Sequence, residues 1–194
     1  MIAALFVRPD GPYASRPDVD AWPEARDART YPGPWPVVAH PPCQAWGRLA
    51  HVREVTSGRP RGVDGGCFEA AVLSVRAFGG VLEHPEGSRA FYRYRLPIPT
   101  FGAGWTAGFV GWSVAVDQSV YGHPARKRTW LFWSGAGAPP DVDIADGSAR
   151  ATHVVVKSRG RGPSLPELGK RRRELTPPAF AELMLELAAA ARAS

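Results

Sequence analysis

Cysteine is scarce in this chain of 194 residues: Cys43 and Cys67 are the only two. That number excludes a multi-disulfide scaffold and points to a reducing compartment, so a cytoplasmic protein is expected. No Cys-x-x-Cys or His-x-x-x-His pair occurs. His40 and Cys43 have a ligand-like spacing that His51, Cys67, His84 and His123 could complete. Pro41-Pro42 stiffens the turn between the first two against chelation, and no metal is expected. Long hydrophobic runs are missing as well. Met1 to Val7 is apolar but too short to span a bilayer, and Asp10 and the prolines follow too soon for a signal peptide. No membrane partner is expected.

What is present describes a globular chain. Hydrophobic residues make up 44% and charged residues 22%, which suits one packed core rather than disorder. Twenty prolines and 21 glycines imply many loops. The formal net charge of +6 fits a polyanionic partner. Apolar segments at Ile2–Val7, Pro36–Ala39, Val81–Leu82, Trp112–Gln118 and Thr129–Trp133 read as strands. Phe68–Phe78 has helical spacing and ends at Gly79-Gly80, and Pro178–Ala191 reads as a terminal helix. Ser134–Ser148 reads as a surface loop. The alternation predicts an α/β fold, a compact Rossmann-like sheet with helices on both faces. The chain reads as a single catalytic domain over residues 1–194, with a basic segment and packed C-terminal helix over 159–194.

The most informative stretch is Pro36-Val-Val-Ala-His-Pro-Pro-Cys-Gln-Ala-Trp46. An apolar strand runs into two prolines, which fix φ and stiffen the loop that presents Cys43. In open α/β sheets, chemistry sits at the carboxyl ends of strands. Glu83 follows Gly-Gly-Val-Leu and is also placed at a strand end. Tyr121-Gly-His-Pro-Ala-Arg-Lys-Arg128 leads into another strand, and alternation points Arg126 and Arg128 the same way. Lys170-Arg-Arg-Arg173, with Arg159 and Arg161 upstream, suits phosphate contacts.

Pro41-Pro42-Cys43-Gln44 resembles the nucleophile loop of the cytosine-C5 DNA methyltransferases. Glu83, the Tyr121–Arg128 segment and Arg173-Glu-Leu-Thr-Pro177 follow in that family's order. The third segment resembles Tyr-Gly-x-Pro-x-x-Arg-x-Arg, with a match that includes Tyr121, Gly122, Pro124, Arg126 and Arg128. The resemblance implies that Cys43 attacks carbon 6 of a flipped pyrimidine while Glu83 contacts ring nitrogen 3 as the acid. Arg126 and Arg128 would support the site. Pro41, Pro42, Gln44, Trp46, His84, Pro85 and His123 would bind substrate, with His84 and His123 also candidates for hydrogen bonding behind it or for tuning Cys43. Arg48, Lys127, Lys170, Arg171, Arg172 and Arg173 would contact DNA phosphates.

The departures from the family are equally specific. The family's first strand ends in Phe-x-Gly-x-Gly, which admits S-adenosylmethionine, whereas this chain has Val7-Arg8-Pro9-Asp10-Gly11-Pro12. About 35 residues separate that strand from Cys43, too few for the usual pair of βα units. Asp18 or Asp20 could imitate a ribose-binding carboxylate. The target-recognition region is nearly absent. The expected function is therefore a reduced, phage-type DNA pyrimidine-modifying transferase without S-adenosylmethionine. One such activity is the transfer of an amino acid or amine to an activated 5-hydroxymethyl pyrimidine. A minimal S-adenosylmethionine-dependent methyltransferase and an inactive DNA-binding protein are the alternatives. DNA is the expected partner, and no stretch fixes the oligomeric state.

Overall fold

A computed structural model describes residues 1–155 and 165–191, apart from the side chains at 148, 149 and 170. Arg159 and Arg161 lie outside the described residues. Seven strands form one sheet: β1 (Ile2–Leu5), β2 (Val19–Trp22), β3 (Val37–Ala39), β4 (Gly80–Pro85), β5 (Thr106–Gly108), β6 (Gly111–Asp117) and β7 (Arg128–Ser134). Their spatial order is β2-β1-β3-β4-β7-β6-β5. The first four are parallel, β7 runs antiparallel to β4, and β6 and β5 continue antiparallel. The helices are α1 (Ala50–Ser57), α2 (Cys67–Phe78), α3 (Arg89–Arg93), α4 (Lys170–Arg173) and α5 (Pro178–Ala190). The fold is a single α/β domain of Rossmann-like type.

Side-chain alternation sorts the core into two layers. Ala3, Leu5, Val37, Ala39, Leu82, Trp130 and Phe132 face α2 and α3, together with Phe68, Val72, Val75 and Phe91. Ala4, Val38, Val81, Leu131 and Trp133 face α5, against Phe180, Met184 and Leu187. Each such large side chain, fully buried, contributes about 1.5–3 kcal/mol. The trailing end of α5 is tied down further by Trp133, whose indole N–H donates to the Leu187 carbonyl at 2.9 Å.

The start of α5 is set by two prolines. Pro177 is its N-cap and Pro178 lies in its first turn, so Thr176 does not cap it. The proline suits that position because the first helical amides have no carbonyl partner. Helix α2 is begun instead by Asp64, whose carboxylate accepts from the amides of Gly66 (3.0 Å) and Phe68 (2.9 Å).

The short link between the first strand and Cys43 is explained by what it omits. Strand β2 is retained at the sheet edge, but its connections to β1 and β3 carry only two short 3₁₀ turns, Glu24–Arg26 and Ala28–Thr30. A parallel connection needs length, which irregular chain supplies here in place of helices. No helix among the described residues is long and apolar enough to cross a membrane.

Candidate active site

The carboxyl ends of β1, β3 and β4 lie side by side, and the loops leaving them converge. His40 continues β3 by donating its amide to the Leu5 carbonyl at 3.0 Å. Pro41 and Pro42 then turn the chain, and the Cys43 carbonyl accepts from the amides of Trp46 (3.0 Å) and Gly47 (2.8 Å). This turn holds the half-buried Cys43 in place. Burial pushes the Cys43 thiol up, the negative charge of Glu83 adds to that, and Lys127 opposes it.

Glu83 is at the centre of a hydrogen-bonded chain. Its Oε2 lies 3.2 Å from His40 Nδ1, and its Oε1 accepts from Gln118 Nε2 at 3.2 Å. The same amide nitrogen reaches Thr129 Oγ1 at 2.9 Å, and His40 Nε2 lies 2.9 Å from the Tyr13 hydroxyl. A carboxylate only accepts, so His40 carries its proton on Nδ1, and in the neutral ring Nε2 accepts from Tyr13. Burial raises the Tyr13 pKa, which keeps the phenol a donor. Burial also pushes Glu83 up, but the His40 hydrogen bond and the charge of Lys127 outweigh it and hold the carboxyl at about 2. The resting Glu83 is thus an ionised acceptor, where the resemblance implied an acid.

Strand register explains which cation joins this group. Glu83 pairs with Leu131, so by alternation Leu131, Thr129 and Lys127 share its face. Arg126 and Arg128 fall on the other face. They do point the same way, since both reach Asp146 Oδ2, at 2.9 and 3.5 Å. Arg128 also pairs with Glu86 and stacks on Phe101, and Arg126 approaches the buried Asp117 at 3.7 Å. Counted from Tyr121, the first arginine position of Tyr-Gly-x-Pro-x-x-Arg-x-Arg falls on Lys127 and the second on Thr129. The two arginines are displaced from those positions by one residue.

The loop carrying Lys127 is closed by Asp117. Its Oδ1 accepts from the Lys127 amide (3.1 Å), the Ser119 amide (3.0 Å) and the Ser119 hydroxyl (2.7 Å). The chain before α5 borders the same space: the Leu175 carbonyl lies 3.5 Å from Lys127 Nζ, and the charge of Glu174 is felt at Cys43.

The remaining predicted residues are distributed differently. His84 is fully buried on the opposite face of β4, with Nδ1 2.6 Å from Ser88 Oγ and its ring edge-on to Phe68. Burial lowers its pKa to about 4, against the pull of Glu83 and the Pro42 backbone, so it packs behind the Cys43 loop as a neutral ring. His123 is buried with Nδ1 turned to the backbone of Ala125, where it shapes its own loop. Trp46 is a core residue rather than an open stacking surface: it packs on Phe68 and Tyr94 and donates Nε1–H to Asp64 at 2.8 Å. Pro41 is buried, Pro85 is half-buried, and Pro42, Gln44 and Arg48 are exposed. In α4, Arg171 pairs with Asp10 and Arg173 with Glu167, both at 3.3 Å, and Arg172 is exposed.

Neither Asp18 nor Asp20 lies at the carboxyl end of β2. Asp18 is bound by Arg16 ahead of the strand, and Asp20 by Arg26 and the Trp22 indole. No group of three or more His, Cys, Asp or Glu among the described residues is arranged to hold a metal ion. Sequence reading missed Tyr13, His40 and Gln118 as members of the site. The face of Glu83 was the available signal, since it fixes the phase of β7 and β6.

After β1, the region where the resemblance expects a glycine-rich cofactor loop has its own content. Phe6 adopts a left-handed φ of 58°. Arg8 pairs with Asp10 at 2.9 Å. Tyr13 folds back into the α5-side core beside Ala4, Val7 and Val38.

Fold and site together define an open-sheet α/β domain with a Cys–Glu–His–Lys cluster at its carboxyl edge. Neither a protein-family model, nor a curated protein, nor a solved structure matches the chain.

Proposed function

We propose that this protein is a DNA pyrimidine-modifying transferase in which Cys43 adds to carbon 6 of an extruded base. The observation that carries the proposal is the pairing of a stiffly held thiol with an ionised carboxylate on the next strand, anchored by one hydrogen bond at each oxygen, and a lysine charge felt by both. Addition of a thiolate to carbon 6 sends an electron pair through carbon 5 towards the ring carbonyl, and Lys127 stabilises that developing charge. Glu83 accepts a hydrogen bond from a ring N–H or exocyclic amine and so orients the base. A base inside a duplex cannot reach these groups, so it is flipped out.

The second substrate we propose is an amine, such as an amino acid. On a pyrimidine with an activated 5-hydroxymethyl group, formation of the sulfur–carbon 6 bond expels the leaving group from the 5-methylene and leaves an exocyclic methylene. The amine adds to that methylene carbon and loses a proton. Departure of the Cys43 thiolate restores the carbon 5–carbon 6 double bond, so the leaving group has been exchanged for the amine. Tyr13 and the Arg8–Asp10 pair after β1 support this route over methyl transfer from S-adenosylmethionine, because close cofactor approach there calls for glycine backbone.

Trapping tests the first step. DNA carrying a 5-fluorinated pyrimidine should give a covalent adduct, seen by intact mass, that Cys43→Ser abolishes and Cys67→Ser keeps. An adduct surviving in Cys43→Ser refutes the nucleophile. Nucleoside mass spectrometry of DNA containing activated hydroxymethyluracil, with an amine or with S-adenosylmethionine, separates amine transfer from methyl transfer.

A further inference from the structure

A groove of about 860 Å³ opens beside the nucleophile loop, lined by Trp46, Arg61, Arg89, Tyr92 and Arg93. None of Arg61, Arg89, Tyr92 and Arg93 is in the cluster around Glu83, and Arg171, Arg172 and Arg173 do not line the groove. We propose that this groove is the track for the phosphodiester backbone next to the target base, with Tyr92 as a stacking surface for a neighbouring base. The proposal deepens the reading of the protein as a DNA-modifying enzyme and rests on it for the identity of the base in the site.

The groove is joined rigidly to the catalytic loop. The Arg89 amide donates to the Trp46 carbonyl at 3.0 Å, and the Trp46 amide donates to the Cys43 carbonyl at the same distance. The opposite wall is tied in by the Gly62 amide, which donates to the Ala45 carbonyl at 2.9 Å. Strand entry through this groove would therefore place its neighbouring nucleotide at Cys43.

The charge balance favours a polyanion. Arg89 and Arg93 are exposed and have no acidic partner among the described residues, and Arg48 nearby has none either. Three carboxylates near the groove are already engaged. Asp64 accepts from Trp46 Nε1 and two backbone amides, Glu54 pairs with Arg61 at 2.7 Å, and Glu86 pairs with Arg128. In α4, by contrast, Arg171 and Arg173 are held by acids of this chain. Tyr92 is 61% exposed on a helix whose Phe91 and Ala90 are buried, and its ring, 6.3 Å from that of Trp130, keeps its outer side open beside Arg89 and Arg93. Guanidinium groups alternating with an open aromatic ring match a single strand, whose backbone needs cations and whose bases offer π-faces.

Fluorescence anisotropy with a labelled mixed-sequence DNA single strand tests the groove at several salt concentrations. The double variant Arg89→Ala/Arg93→Ala should weaken binding by about 10–100-fold. Each lost phosphate contact should flatten the slope of log K against log salt by about 0.7. Tyr92→Ala should weaken binding by about 5–100-fold and leave that slope unchanged. Arg171→Ala, which removes a guanidinium already held by Asp10, should stay within about threefold of the parent protein. Wild-type affinity and slope in the Arg89/Arg93 variant would overturn the proposal, as would an equal loss in the α4 variant or equal binding of polyglutamate. Failure here is separable from failure of the chemistry. An adduct at Cys43 with unchanged binding in the groove variants removes the groove alone, and groove-dependent binding without an adduct removes the cysteine chemistry alone.

Discussion

At the scale of single residues, the site is governed by the charges on Cys43, Glu83 and Lys127. Burial and Glu83 hold the proton on the thiol, and Lys127 works against them. Alkylation of Cys43 should therefore go on accelerating above the pH at which an ordinary thiol levels off. Lys127→Ala should slow that alkylation at fixed pH, whereas Glu83→Gln should speed it by removing the like charge. Rates followed by mass spectrometry across pH check both, and equal profiles in all three proteins would show that the groups are not coupled. Turnover should respond differently from alkylation. Glu83→Gln should slow modification of the base by about 10–100-fold, because the neutral amide holds the ring N–H less strongly and turns an NH₂ towards the His40 or Gln118 donor. The same substitution thus frees the thiol and slows the reaction, a pair of effects that a purely structural role for Glu83 would not produce.

Among the elements, the join between α2 and β4 places Glu83. Gly80 has φ 131°, and a Cβ added there would lie 2.0 Å from the Val37 carbonyl oxygen and 2.6 Å from its nitrogen. The close approach lets β4 pair with β3 and brings Glu83 level with the cysteine loop. Gly80→Ala should cost roughly 3–5 kcal/mol, in the severe range for a single substitution, read as a fall in the urea midpoint. A near-parental midpoint would mean that the backbone shifts without penalty.

Much of this level was readable from the sequence. Strands β1, β3, β4, β6 and β7 and helices α2 and α5 coincide with apolar segments because each buries a face against the sheet. Strand β2 escaped notice because Val19-Asp-Ala-Trp22 is a short edge with an acid in it. Helix α1 escaped because only Ala50 is buried, which leaves no apolar stripe to detect. In the site, Cys43 stands in the loop after β3 as the prolines implied, whereas Glu83, expected at a strand end, lies inside β4, one residue past its pairing with β3. Tyr13, His40 and Gln118 did not show, since their meeting depends on strands far apart in sequence sharing one face. Arg126 and Arg128 were assigned to the site because a segment match does not reveal which parity of β7 faces Glu83.

For the whole molecule, buried titrating groups set the pH range of stability. Burial lowers His84 from its ordinary 6.5 to about 4. Between those values the unfolded chain binds a proton that the folded protein does not, so stability rises with pH there. This contribution is complete above about pH 6.5 and is lost as pH falls towards 4. Glu83 acts in the same direction lower down, since its folded value of about 2 lies below the ordinary 4.5. Its contribution is present above about pH 4.5 and disappears as pH falls towards 2. At the alkaline end, burial raises Tyr13 above its ordinary 10.0, so the unfolded chain loses its proton first and stability declines above that pH. Cys43, raised above its ordinary 9.0, acts the same way from there, so urea midpoints should form a plateau between about pH 6.5 and 9. His84→Gln separates one limb from the others. It should flatten the rise between pH 4 and 6.5, worth roughly 3 kcal/mol at 1.36 kcal/mol per pKa unit, whatever its effect on stability at neutral pH. An unchanged slope in that variant would assign the acid limb to other groups and remove His84 as the buried neutral ring behind the cysteine loop.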